Sequence, residues 1–533
     1  KAKKFDLDLL IQQIGPFGRF QLWIFVLICI PVTFTAMYTL FFIFTAGEVD
    51  YRCRIQDCDG DNVGFEAPFV NFTIPWEENS FSKCKKFEII PNFTVDNWCQ
   101  ADLFHKNRTL YCFDFIYTKD EITIQNEWNL ACYEDWKLSV VGTVNKIGQL
   151  VGLMLIGYFS DRFGRRTALI CIVLSSAILG IVRSFSVNFI MLLIFEFLEP
   201  AVSSGIYPVS FILGMELIGP ERRALGSFLL SIAFTLSLML LGLEAMLTRE
   251  WRLLTRVAYA PSFLILTYRW LIPESARWLV NKNRVQEAAR IIESGAKYNK
   301  SQLTMEAKTM LSQAINGEFI VESNKDQKVK TYRLIMAFKS RILLLRIVIC
   351  SFCWAATAFV YAGLTMFSVS LAGDKFVNFI LNSFIEIPGA IVCYLLIDRM
   401  GRRKLMCLSL FVTGASCIAF ILLSGVSVGG QITATLIGKS TITISFIIIY
   451  VYVAELFPTE LRQTLLSTCA IFGRIGAILA PFTLYLGKHM ESMEMILFAA
   501  TTIPAGILIL FPPETLNLQL PDTIQEAENI GKT

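Results

Sequence analysis

Arg474 interrupts the otherwise apolar run LSTCAIFGRIGAILAPFTLYLG, residues 466–487. It is the eleventh residue of the apolar window 464–487, too deep for its guanidinium to reach an interface comfortably. A charge at that depth costs about 2.5–3.5 kcal/mol on insertion scales, and such residues normally face a bundle interior or a wet cavity. A guanidinium forks onto a carboxylate, so Arg474 is expected to hold the anionic end of a ligand or, alternatively, to pair with Glu386. Asn378, Asn382 and Glu386 recur every four residues and share one helix face. Glu386 suits an amine or ammonium. Asn145, Lys146 and Gln149 form a second polar cluster, Lys439 stands alone in another apolar run, and Lys146 is near enough to a span end to snorkel. Aromatic residues complete the set. Trp354, Thr357 and Tyr361 share a face, and Tyr207/Phe211 and Phe446/Tyr450 are each one turn apart. Such rings stack on flat organic groups and attract cations, or simply pack helices.

Other chemistry is poorly served. There is no GxxxxGK[ST] phosphate loop, and the two histidines, His105 and His489, fall in or near extracellular segments. No nucleophile–base pair or metal-ligand cluster lies on any apolar run. The expectation is a protein without cofactor or metal that is not an enzyme and binds no nucleic acid.

The elements that must position these residues are membrane spans. Of the 533 residues, 54% are hydrophobic and 17% charged, whereas soluble domains carry about 25% charged residues. With roughly 20 residues needed per crossing, twelve spans are read near 20–46, 138–159, 167–186, 188–217, 225–247, 251–272, 343–370, 375–397, 404–424, 429–456, 463–487 and 491–512. They are numbered 1 to 12 below. Residues 47–137 carry 9 Lys/Arg against 17 Asp/Glu, six cysteines (Cys53, Cys58, Cys84, Cys99, Cys112, Cys132) and N-x-T sequons at Asn71, Asn92 and Asn107. They read as an extracellular, glycosylated loop with three disulfides of open connectivity. Residues 273–341 carry 13 Lys/Arg against 7 Asp/Glu and no cysteine, which marks the cytoplasmic side. Both termini then lie inside. The first twenty residues, without a cleavable signal pattern, read as cytoplasmic, and the sequon at Asn299 is expected to stay bare.

The chain also repeats itself. DRFGRR at Asp161 returns as DRMGRR at Asp398, 237 residues on. MELIGPERR with Glu216 returns as AELFPTELR with Glu455, and PESARW at Pro273 returns as PETL at Pro513, spaced 239 and 240. Two homologous six-helix halves follow: 1–272 with the loop 47–137, a cytoplasmic linker 273–341 with short helices, and 342–533 with a cytoplasmic tail. A repeat of this size points to a transporter with its site between the halves near the midplane. The charges of the repeated motifs can bias the rocking of the halves: Asp161 toward a helix N-terminus or an arginine of the other half, Glu216 toward Arg222 or Arg223, Glu455 toward Arg462. Arg165, Arg166, Asp398, Arg402 and Arg403 complete this gating set.

GYFSDRFGRR, its echo DRMGRR and PESARWL resemble the major facilitator superfamily. The cysteine-rich loop, IPESARWLVNKNRVQEAARII, IEIPGA, AELFPTELRQ and PETLNLQLPDTIQEAEN resemble its organic ion branch of organic cation, carnitine/zwitterion and organic anion transporters. The resemblance spans the whole chain. It implies an all-α major facilitator fold at the plasma membrane, a monomer in lipid, alternating access, and cavity contacts by Trp354, Tyr361 and Tyr207. In that family, organic cation members often have aspartate where Arg474 stands, carnitine and anion carriers have arginine, and anion carriers tend to have lysine where this chain has Ala390. Glu386 resembles the cation and carnitine members. The mixture favours amine-bearing cations and zwitterions, with organic anion exchange and a non-transporting solute receptor as alternatives. The family usually has arginine where Glu196 stands, so the chain departs there. Glu199 lies three residues on, in the same span.

Overall fold

Hydrocarbon offers the backbone no partners, so each apolar run closes its hydrogen bonds within itself as a helix. The computed structural model describes residues 7–15, 17–56, 58–60, 64–77, 80–90, 99–218, 223–315, 338–458, 461–490, 492–516, 518, 521 and 524–530. Asn92 and Arg222 therefore lie outside the described residues. Ten helices among those described are long and apolar enough to cross a membrane. The other two expected spans are present in different form. Span 6 is the helix Trp251–Tyr259, a 3-10 stretch Ala260–Thr267 with Pro261 as its second residue, and the short helix Tyr268–Leu271. Span 12 is Met493–Leu508, with Pro504 inside it. Spans 4 and 8 are each broken in the middle. Span 4 runs Phe189–Ser203 then Ile206–Leu217, with Pro200 before the break; span 8 runs Lys375–Phe384 then Glu386–Met400, with Pro388 after it. Proline cannot donate to the ladder, which loosens the turn around it.

Helix pairing repeats one for one. Spans 1–5, 2–4, 3–4 and 3–6 pack together in the first half, as do 7–11, 8–10, 9–10 and 9–12 in the second. This is the three-dimensional form of the sequence repeat. Asn188, Ser340, Ser427 and Asp374 cap the helices that start spans 4, 7, 10 and 8, each side chain accepting a backbone N–H.

Between spans 1 and 2 lies a small domain of three antiparallel strand pairs, including Lys85–Ile89 with Phe104–Tyr111. Its disulfides pair Cys53 with Cys112, Cys58 with Cys99 and Cys84 with Cys132, connectivity that spacing alone left open. Asn71 and Asn107 are exposed on it. On the opposite side, helices Ala276–Asn281, Val285–Asn299 and Met305–Ile315 pack with the helix Leu7–Ile14 around Leu10, Leu279, Ala288 and Ile292. Asn299 is tied into this packing: its side chain accepts from Phe20 N at 2.7 Å and donates to Ile14 O at 3.0 Å.

The halves meet mainly on the side of the disulfide-bonded domain. Span 2 touches span 11 there, Thr143 Oγ1 donating to Ile478 O at 3.5 Å. Span 5 packs on the first part of span 8. Phe44 lies 5.6 Å from Phe376 and 5.0 Å from Phe379, and Lys375 reaches across to Glu121 at 2.6 Å. Toward the linker side, Phe228 and Tyr394 approach at 6.2 Å, and the Asp161 and Asp398 side chains are largely exposed.

Candidate substrate-binding site

Glu386 begins the second part of span 8 and is 3% exposed. Its carboxylate is fully engaged. Lys439 Nζ of span 10 meets Oε1 at 2.8 Å, Tyr361 Oη of span 7 donates to the same oxygen at 2.8 Å, and Thr235 Oγ1 of span 5 donates to Oε2 at 3.3 Å. The ammonium of Lys439 also donates to Thr365 Oγ1 at 2.6 Å and lies 3.3 Å from the Tyr361 ring centre. The Lys439–Glu386 pair was not foreseen; the sequence had offered Arg474 as the partner. The signal was available, because two lone opposite charges in neighbouring apolar runs seek each other where nothing else compensates them. Thr235 makes this a contact between the two halves.

Arg474 of span 11 is half-buried, and among the described residues no carboxylate pairs with it. It is close enough to Lys146 of span 2 and Tyr450 of span 10 to interact electrostatically with both. Of these two, Lys146 belongs to the other half. Lys146 does not snorkel outward. It is 5% exposed, donates to Thr39 O at 3.0 Å and sits over the Phe42 ring. Gln149, also buried, donates to Asn145 Oδ1 at 2.8 Å.

The aromatic residues form a ladder between the charged positions. Trp354 is packed against Gly473, beside Arg474, and meets Tyr450 edge-on at 4.5 Å. Tyr450, 40% exposed, meets Phe446 at 5.6 Å, and Phe446 stacks on Tyr361 at 5.1 Å, which returns the ladder to Glu386. Trp354, 2% exposed, packs behind Tyr450. From the other half, Tyr207 stacks with Phe211 at 6.2 Å and faces Tyr361 and Tyr450 electrostatically. Of the polar stripe in span 8, Asn378 binds the carbonyls of Leu371 and Ala372, while Asn382 is 1% exposed with neither amide atom bonded among the described residues.

The ion pairs of Asp161, Glu216, Asp398 and Glu455 close within each half: of the two partners expected for Asp161, it meets the N-terminal residue of the helix Arg165–Arg183 and not an arginine of the other half. Arg165 meets Asp161 at 2.5 Å and Glu216 at 3.8 Å; Arg402 meets Asp398 at 3.0 Å and Glu455 at 3.1 Å. So the second motif's glutamate closes onto the first motif's arginine. Thr515 Oγ1 donates to Glu455 as well, and Arg462 sits at the start of span 11. The third motif supplies a part that sequence reasoning left without a role. Glu274 accepts from the backbone N–H of Arg166 at 2.9 Å, and Glu514 accepts from those of Arg402 and Arg403 at 2.9 and 3.2 Å. Each carboxylate thereby caps the helix that follows its DRxGRR turn, where donors and dipole favour an anion.

Two six-helix bundles with this pairing, this repeat and polar groups converging between them define a membrane transporter of the major facilitator fold. Residues 115–526 match the family model described as sugar (and other) transporter. The chain is similar to the organic cation transporter protein of Drosophila melanogaster, 29% identical over 98% of this chain and 95% of that one. It is also similar to solute carrier family 22 member 2 of Oryctolagus cuniculus, 30% identical over 99% and 96%. The partially occluded inward-open xylose transporter XylE from E. coli shares its fold, with TM-score 0.57 and 16% identity over 72% of this chain and 89% of that one. The chain belongs to the sugar (and other) transporter family and, within it, to the solute carrier 22 branch of organic ion transporters. It is a multi-pass membrane transporter and not an enzyme.

Proposed function

We propose that the protein carries small organic ions across the plasma membrane by alternating access, favouring zwitterions and amine-bearing cations. The observation that carries the reading is the asymmetry of the interior charges: among the described residues Arg474 has no carboxylate partner, whereas Glu386 is held by three donors. The solute's anionic end meets Arg474, with Lys146 nearby. Its ammonium end lies along Tyr450, Phe446, Tyr207 and Phe211, where cation–π attraction contributes roughly 0.5–2 kcal/mol. Asn382 and Glu386 close that end, and Gln149 and Tyr361 orient the neighbouring groups. The printed names of the relatives, an organic cation transporter among them, support this class of cargo. The disulfides and the exposed sequon asparagines support an extracellular loop side, and with it cytoplasmic termini and a site that opens inward; a monomer suffices in this reading, since both halves lie in one chain. The motif charges Asp161, Arg165, Arg166, Glu216, Asp398, Arg402, Arg403, Glu455 and Arg462 act as the inner gate.

A second reading, organic anion transport, is favoured by the same two cations, Arg474 and Lys146. Counterflow of labelled carnitine, tetraethylammonium and glutarate in proteoliposomes separates the readings. The expected order is carnitine first, then tetraethylammonium, with glutarate weakest, and Arg474→Ala lowers carnitine counterflow at least tenfold while tetraethylammonium persists. Glutarate as best cargo establishes the anion reading, and saturable binding without counterflow of any solute establishes a receptor.

A further inference from the structure

Away from that site, the first half buries a second cluster of charge. Arg183 at the end of span 3 and Glu196 and Glu199 in span 4 are each at most 1% exposed. Glu196 is saturated: Arg183 Nη1 meets Oε2 at 2.7 Å, and Asn145 Nδ2 donates to Oε1 at 2.8 Å. Arg183 spends its other terminal nitrogen on Tyr259 Oη at 3.2 Å and lies over the Phe41 and Tyr259 rings. Glu199 differs. Neither of its oxygens has a hydrogen bond among the described residues, and the Nε of Arg183 is likewise without one.

The groups facing Glu199 are few. Arg183 comes from span 3, Glu196 from its own helix together with the Ser203 hydroxyl, and Tyr259 from span 6. Tyr38 of span 1 faces it as well, stacked on Tyr259 at 4.0 Å and also facing Glu244 of span 5. The next cation, Lys146 of span 2, directs its ammonium to Thr39 O and faces Glu196. One guanidinium thus stands against two carboxylates in a site closed to water. A carboxylate that must share one guanidinium with Glu196, with only the Ser203 and Tyr259 hydroxyls beside it, is costly as an anion there and neutralises by taking up a proton.

We propose that Glu199 is a proton-binding site through which the transporter couples solute movement to proton movement. The geometry supplies a donor to replace the proton, the unpartnered Nε of Arg183, and a route to the solute. From Glu196 the chain of contacts runs through Asn145 and Gln149, and both Gln149 and Lys146 reach the Thr39 carbonyl. Lys146 faces Arg474 of the other half. A solute anion drawn to Arg474 and Lys146 loosens the hold of this chain on Glu196, which then draws Arg183 to itself and leaves Glu199 to bind a proton. When the solute leaves, Asn145 returns to Glu196, Arg183 is freed to turn its Nε toward Glu199, and the Glu199 O–H bond breaks as the proton departs. This coupling rests on the proposed binding of an anionic group between Lys146 and Arg474.

The test uses the full chain in proteoliposomes containing a trapped pH dye, with carnitine as probe. In the unmodified protein, a carnitine gradient is expected to drive a dye-detected pH change, and an imposed pH gradient to accumulate carnitine severalfold. Glu199→Gln, which mimics the protonated acid, is expected to keep carnitine counterflow within about twofold and to lose both coupled signals. Counterflow without proton movement in the unmodified protein, or proton movement retained in Glu199→Gln, overturns the proposal while leaving the solute reading intact. A second measurement needs no solute. The infrared carbonyl band of a protonated carboxylic acid is expected in the purified protein at neutral pH and to vanish in Glu199→Gln; its absence from the unmodified protein also overturns the proposal.

Discussion

Glu386 and Lys439 show how a buried charge is made tolerable by one well-placed partner. Each alone costs several kcal/mol to bring into the interior, and their pairing returns this only because Tyr361, Thr235 and Thr365 satisfy the remaining valences. Lys439→Met is therefore expected to destabilise the protein by about 3–5 kcal/mol, the cost of an uncompensated buried charge. The double variant Lys439→Met with Glu386→Gln is expected to recover most of that stability but not transport. Thermal unfolding of the purified protein followed by carnitine counterflow checks both; a double variant no more stable than the single one would show that the two charges do not answer each other. At this scale the sequence identified which residues were costly and hence which must converge. It did not reveal their partners, because a partner from another span is set by packing. The polar stripe in span 8 illustrates the limit: its three members share a face, yet Asn378 serves a carbonyl pair, Glu386 an ion pair, and Asn382 no described partner.

The repeated DRxGRR turns depend on glycine at one position each. Gly164 has φ 100°, ψ 157° and Gly401 φ 91°, ψ 158°, a region open essentially to glycine alone. A Cβ would also stand 2.4 Å from a Glu274 oxygen and 2.5 Å from a Glu514 oxygen. Backbone strain of about 1–3 kcal/mol, with displacement of the capping carboxylate, is expected in Gly164→Ala and Gly401→Ala. Gly157→Ala, inside a helix with open space around it, is the control and is expected to unfold at or slightly above the unmodified temperature. Equal unfolding temperatures for all three variants would argue against the caps. The elements themselves were legible in apolar length, and their ends in capping residues such as Asn188 and Ser427. Span 6 was read as one crossing, but Pro261 forces a 3-10 stretch that length and hydropathy do not reveal.

Opening and closing belong to the whole molecule. The pair Lys375–Glu121 ties span 8 of one half to the segment just before span 2 of the other, beside the Phe44, Phe376 and Phe379 rings. A partly exposed pair of this kind is worth about 1 kcal/mol, or roughly a fivefold change in the ratio of two states. Lys375→Glu is expected to shift the protein by that factor toward opening on the loop side, read as labelling of a cysteine placed at the buried Ala245 beside these rings, and the swap with Glu121→Lys to restore the ratio. No change in labelling would mean that the rings alone hold this side shut. The amino-acid sequence by itself determined the number of crossings, the two matching halves and the costly interior charges, because these follow from the expense of exposing polar groups to hydrocarbon. Only the tertiary structure decided the disulfide partners, the joining of Lys439 to Glu386, the lack of an ion pair for Arg474 and Glu199 among the described residues, and the side on which the halves meet. Those outcomes depend on which side chains from distant spans come within a few ångströms, a property of packing that no local pattern encodes.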